Sequence, residues 1–285
     1  MNLDYDTAWI IYNPVEARIK QKIKEKGVPL CDWNIRINFG IKTGFNDAFI
    51  ITTEQKNALI AEDPKSAEII RPILRGRDIQ RFAYNYANLW VINVHNGIKE
   101  LGIPPIDIDD YPAIKAHLDQ FYPKLAIRAD RGVTPYNLRN CAYLNDLSMQ
   151  KIVWGEISDK PKFAIDINGE YIPEATTFMM TGDHLKYLLC ILNSTFSEYY
   201  FAKIGTTTGM GTLRWKKYLI ETLPIPKTSE KDIYECEHML DLILESSEND
   251  RALYIHMLNE TIYSMLGFTD EEIAAIEEIV AQGAH

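Results

Sequence analysis

Residues 151–193, KIVWGEISDKPKFAIDINGEYIPEATTFMMTGDHLKYLLCILN, decide the fold class. Lys151–Glu156, Lys162–Asp166 and Thr176–Met180 read as short strands separated by Asp, Asn, Gly and Pro. The period then changes. Between Gly182 and Asn193 the apolar residues Leu185, Leu188, Leu189 and Leu192 recur at three and four, the mark of a helix with one buried face. Strands and helices alternate too irregularly for a βαβ series, so the expectation is α+β: a mixed sheet with flanking helices and a helical C-terminal appendage.

Upstream, Asn13 and Pro14 mark a helix start, Val15, Ile19 and Ile23 repeat every four residues, and Gly27 can end the helix. Lys20, Lys22, Lys24 and Lys26 make its other faces basic. Trp33–Phe39 alternates like a half-buried strand, Gly40–Asp47 is turn-rich, and Ala48–Thr52 resumes as a strand, which together predict a hairpin or tight loop. Thr53 is read as the cap of a helix over 54–61, and Pro64 as the start of another over 64–70. Leu89–Val94 reads as a buried strand. A helical pattern over 111–130 should break at Pro123. A short helix is expected over Thr195–Ala202. Past Pro224 and Pro226, helices are expected over 229–247, 250–266 and 269–281. The chain therefore divides into a helical connector (1–30), a central domain (31–228) and an acidic helical tail (229–285).

The 285 residues are 46% apolar and 25% charged, an ordinary globular balance. No run approaches a membrane span, and residues 1–12 lack a signal peptide's pattern, so the expected location is the cytoplasm with no membrane partner. Cys31, Cys141, Cys190 and Cys236 lie far apart and read as free thiols. The net charge of −10 is uneven. Residues 1–217 hold 27 Lys+Arg against 25 Asp+Glu, and residues 218–285 hold 3 against 15. The front can carry a basic face, and the acidity belongs to the tail.

A search for chemistry returns little. There is no glycine-rich methyl-donor turn, no Asn/Asp-Pro-Pro-aromatic loop, no P-loop, no dinucleotide fingerprint and no Gly-x-Ser-x-Gly elbow. Asp166, Glu170 and Glu174 near Lys160 and Lys162 are the nearest approach to a metal-dependent nuclease. Glu235, Glu237, His238 and Asp241 read as a solvated acidic face rather than a zinc site. The reading is a chain with no catalytic centre, metal or cofactor of its own. Three segments gather cations, hydroxyls and glycines instead. They supply candidate DNA contacts: Lys42, Thr43 and Asn46 in the first; Arg75, Arg77 and Arg81 in the second; Thr206, Thr207, Thr208, Arg214, Trp215, Lys216 and Lys217 in the third. Arg128 and Arg131, with Arg139 nearby, add charge around a central loop. Asp78 can instead pair with Arg75 or Arg81 and make them structural.

Gly40–Ile51 (GIKTGFNDAFII) resembles the opening signature of TaqI-like C-terminal specificity domains, and Pro72–Arg81 (PILRGRDIQR) resembles their second. KIVWGEIS at 151–158, Phe163–Asp166 with Thr177-Phe178, YLLCILNS at 187–194 and Leu223–Pro226 resemble later blocks, so the likeness spans about 30–228. It implies a target recognition domain of a type II (type IIG/IIS-like) restriction–modification adenine-specific DNA methyltransferase. The implied partners are double-stranded DNA and an upstream methyltransferase domain or subunit. S-adenosylmethionine, and Mg2+ where a nuclease is present, would belong to the parent enzyme. The chain then reads as a C-terminal fragment or a separate specificity subunit. Two other readings are a non-catalytic protein-interaction scaffold built on the acidic tail and a nuclease built on Asp166 and Glu170.

Overall fold

The computed structural model describes residues 13–204 and 213–282. Its centre is an antiparallel sheet in the order β10-β8-β12-β2, formed by β2 (Ile35–Phe39), β8 (Lys151–Gly155), β10 (Phe163–Asp166) and β12 (Thr177–Gly182). Alternate residues of a strand face opposite ways. Here both faces are covered. Ile152 and Trp154 of β8, Phe163 and Ile165 of β10, and Phe178 and Met180 of β12 enter one core. Val153, Ala164 and Met179, between them, enter a second. Accordingly Ile152, Val153 and Trp154 form an apolar run with no polar alternation, and all three are buried.

The first core lies under helices. It receives α1 (Pro14–Lys26) through Ile19 and Ile23, together with α6 (Leu185–Leu192) and α7 (Thr195–Ile204). The C-terminal helices α9 (Glu230–Glu245), α10 (Glu248–Leu266) and α11 (Asp270–Gln282) close it with Leu240, Ile243, Leu258, Ile262 and Ile276. The second core lies between the central sheet and a smaller mixed sheet in the order β11-β4-β7-β3. That sheet comprises β3 (Ile50–Thr52), β4 (Ile70–Leu74), β7 (Leu89–Ile92) and β11 (Ile172–Pro173), with β11 parallel to β4. Helices α2 (Asn46–Phe49), α3 (Thr53–Glu62), α4 (Pro112–Asp119) and α5 (Tyr122–Ile127) border it. Three two-stranded pairs complete the fold: β1 (Gly27–Pro29) with β14 (Pro224–Pro226), β5 (Ile79–Gln80) with β6 (Ala83–Tyr84), and β9 (Ile157–Ser158) with β13 (Leu213–Arg214). A short helix, α8 (Lys217–Ile220), precedes β14. The architecture is α+β, a mixed-sheet body with flanking helices.

Most differences from the sequence expectation are local. The expected hairpin at 33–52 is absent. Strand β2 pairs with β12 and β3 pairs with β7, so loop 40–46 crosses from one sheet to the other. Ala48 and Phe49 are helical rather than extended. Thr52, not Thr53, caps α3, in a reciprocal box with Gln55. Residues 64–68 form a 3-10 turn, and Ile70 already opens β4, which carries Pro72. The pattern over 111–130 splits at Phe121, with Pro123 in the first turn of α5, where a missing N–H costs nothing. Asn13 does cap α1, its side chain accepting from Val15 N.

Candidate nucleic-acid interface

Loop 40–46 is held by close backbone approach. A Cβ on Gly40 would lie 2.0 Å from the Glu174 carbonyl oxygen and 2.4 Å from that of Pro173. Ile41 N donates to Pro173 O, and Gly40 N to Thr177 O. Gly44 has φ +71°, a conformation that favours glycine. The segment 75–78 is placed in the same way: Gly76 and Gly155 meet with only 3.2 Å between a Cβ on either and the other's Cα.

These two crossings bring Asn46 of the first cluster and Arg75 and Arg77 of the second to one cleft. Asn46, Arg77, Glu174 and Thr176 line it. Asn46 accepts from the Thr43 hydroxyl and donates to Glu174 Oε1 at 3.2 Å, and Thr176 Oγ1 donates to Glu174 Oε2 at 3.0 Å. Arg77 is exposed and, among the described residues, has no side-chain hydrogen bond or ion pair. An oriented amide, a free guanidinium, a hydroxyl and a carboxylate are the groups that read base edges and phosphates. The strip continues along one edge. Glu156 N donates to Thr176 O at 3.1 Å, and Arg214 approaches the Glu156 carboxylate at 3.5 Å. Lys42 pairs with Asp130 at 2.8 Å, and Arg139 reaches the same carboxylate at 3.4 Å. The Lys42 hydrogen bond, joined by the charges of Lys42, Arg139 and Arg128, outweighs desolvation and holds the Asp130 carboxyl below its usual range.

Thr43, Arg75, Arg81, Arg128 and Trp215 are turned to partners within the fold, which corrects the expectation that their side chains meet DNA. Thr43 is buried; its hydroxyl accepts from Phe45 N at 3.2 Å and shapes the turn. Arg75 forms a two-pronged ion pair with Asp78 at 2.9 and 2.7 Å. Arg81 donates to the Asn193 carbonyl, and burial pushes its guanidinium down. Arg128 is buried and donates to the carbonyls of Thr43, Pro135 and Asn137, its guanidinium over the Phe49 ring. Trp215 is 2% exposed in the first core, with its indole N–H on Ser158 O at 3.1 Å. Lys217 donates to Ile37 O at 3.1 Å, while the half-buried Lys216 precedes α8. Arg131 is exposed, and its guanidinium covers the Ala126 carbonyl at the end of α5. Thr206, Thr207 and Thr208 lie outside the described residues.

Sequence reasoning does not reach Glu174 as the partner of Asn46, Thr176 as the partner of Glu174, or Asp130 as the partner of Lys42. Their contacts are set by tertiary crossings, and no local pattern announces them. The nuclease constellation does not form. Asp166 is 2% exposed, and its oxygens are taken by Lys151 Nζ at 2.7 Å, Tyr171 N at 2.9 Å and Glu170 N at 3.1 Å, which leaves a cation no open position. Among the described residues, no group of three or more His, Cys, Asp or Glu side chains is placed to hold a metal.

The family model of the TaqI-like C-terminal specificity domain matches residues 71–225. The type IIL restriction–modification enzyme MmeI, solved in complex with DNA, is similar in structure, with a TM-score of 0.66 and 15% identity over 90% of this chain and 36% of that one. The type IIG restriction endonuclease BpuSI is similar with a TM-score of 0.55 and 12% identity, over 95% of this chain and 33% of that one. The chain thus spans about a third of the length of either enzyme. No curated protein matches it.

Proposed function

The chain belongs to the TaqI-like C-terminal specificity domain family, and from that premise we propose that it reads a DNA sequence for a restriction–modification enzyme. In this reading the chain carries no catalytic centre. It positions an adenine-N6 methyltransferase, which flips its target base out of the duplex. S-adenosylmethionine, and Mg2+ if the enzyme also cleaves, are used by that partner domain or subunit. The observation that carries the reading is the cleft. Two segments some thirty residues apart converge there, and Asn46, Arg77, Glu174 and Thr176 offer a mixed set of donors and acceptors at its surface. Such a set suits adenine, guanine and cytosine edges in the major groove. Arg214, beside Glu156, whose backbone is bonded to Thr176, adds charge for phosphates, as does Lys216 two residues on in the chain.

The test is selection of duplexes from a randomised pool by the full-length protein, followed by variants. Arg77→Ala and Asn46→Ala are expected to relax the selected sequence at one position each, at a cost of about 1–3 kcal/mol. Failure of the full-length protein to enrich any duplex sequence would overturn the reading.

A further inference from the structure

We propose that residues 128–139 form a second DNA contact, seated on the phosphate backbone beside loop 40–46, and that the internal Arg128 is the positioning residue for both segments. The inference rests on the DNA-reading function above. Arg128 is 8% exposed. Its guanidinium bonds the carbonyl of Thr43 in one loop and those of Pro135 and Asn137 in the other. One buried cation therefore couples two loops that are about ninety residues apart in sequence. Asn137, also buried, anchors the second loop by donating to His95 O at 3.3 Å and Ile106 O at 2.9 Å. Gly132 sits where a Cβ would lie 2.5 Å from Leu138 O, so the loop folds tightly back on itself.

The surface so held is unusual for a loop that serves only the fold. Arg131 and Arg139 are exposed, and Val133 between them is 65% exposed. A shallow concavity runs through Arg131, Val133, Arg139, Asn96 and Asn140. The opposing carboxylate is Asp130, already shared by Lys42 and Arg139. Two cations, Lys42 and Arg139, meeting on one anionic group, beside the exposed Arg131 and the amides of Asn96 and Asn140, suit a backbone phosphate that takes over from Asp130. Ordering the loop before binding saves the entropy of fixing it on DNA.

Phosphate contacts need no target sequence, so a random-sequence duplex suffices as the probe. Affinity of the full-length protein is measured by fluorescence anisotropy across a salt series. Each lost phosphate contact should lower the slope of log K against log salt by about 0.9. Arg131→Ala and Arg139→Ala are expected to do so individually; both residues are on the surface, so both variants should fold. Arg128→Met, with its fold checked by circular dichroism, should lower the slope as much as those two together, and adding either substitution to it should change nothing further. Wild-type slopes in Arg131→Ala and Arg139→Ala, alongside weakened binding by Arg77→Ala, would overturn the inference and leave the proposed function standing. A folded Arg128→Met protein with the wild-type slope overturns the positioning role. Equal competition by polyglutamate and by duplex would mark a general anion surface and overturn the assignment to DNA. A wild-type protein that binds no duplex overturns the proposed function and this inference with it.

Discussion

At the scale of single residues, the arginines of this chain separate into those that build the molecule and those that face outward, and the two kinds adjoin. Arg75 and Arg77 are two positions apart. The first is locked to Asp78 and the second is free at the cleft. The Arg75–Asp78 pair was legible, because its partners are three residues apart. The fates of Arg81 and Arg128 were not, since their carbonyl partners Asn193 and Thr43 lie 112 and 85 residues away. The same holds for Lys151 and Asp166: the sequence places them on two strands and offers Asp166 to a nuclease, yet they are the most enclosed ion pair of the described residues. Lys151 also donates to Leu147 O at 2.9 Å and Met149 O at 3.2 Å. Burial pulls the Lys151 ammonium below its ordinary value, and Asp166 opposes that pull. Removing Asp166 strands a cation among carbonyls and apolar groups. Asp166→Ala should therefore lower unfolding stability by about 3–5 kcal/mol. A urea melt at neutral pH measures it, and an unchanged midpoint would show that the pair contributes nothing.

Among the elements, those defined by local chemistry were read well. The Asn13 cap, the Val15, Ile19 and Ile23 stripe of α1, and the leucines of α6 fall where their periods place them. The pairing of strands was not legible. Extended runs at 33–39 and 50–52 look like two arms of one hairpin, yet each finds its partner at least thirty residues beyond that loop. Strand β14 was read as a proline-marked boundary, because both prolines lack a ladder N–H; it pairs with β1 at an edge, where such residues are tolerated. The crossing of loop 40–46 under residues 173–174 is what defeats the hairpin reading, and it depends on Gly40. A methyl group there would overlap two carbonyl oxygens of a neighbouring strand. Gly40→Ala should separate the loop from β11 and lower both stability and DNA affinity. Gly102→Ala is the control. It has φ +67° but nothing within 4 Å of an added Cβ, so it should cost only about 1 kcal/mol and leave binding unchanged. Equal losses in the two variants would contradict the crossing as the cause.

Across the whole molecule, the uneven charge of the sequence becomes a docking device. The basic face of α1 does not point into solvent throughout. Lys22 reaches Glu272 at 2.6 Å and the Gly267 carbonyl at 2.7 Å, and Arg18 reaches Glu271. Acidic groups of the last helix thus meet cations of the first, and the same helices bury Ile19, Ile23 and Ile276 in the first core. Glu272 is the centre of this contact, with 0% exposure. Burial alone would push its carboxyl up. The hydrogen bonds from Lys22 and Thr269 N, with the Lys22 charge, overcome that and leave it below the ordinary range. A carboxyl whose folded value is depressed stabilises the fold at every pH above its unfolded value, and that contribution is lost as pH falls through the folded value. The unfolded value is about 4.3, so the loss begins near there and continues below it. Glu272→Gln should cost about 2 kcal/mol at pH 7, the worth of a hydrogen-bonded charge. The gap between variant and wild type should close as the pH is taken below about 4. Parallel melting curves at every pH would instead mean that the first and last helices are joined by their apolar contacts alone, with Lys22 and Glu272 adding no net stability.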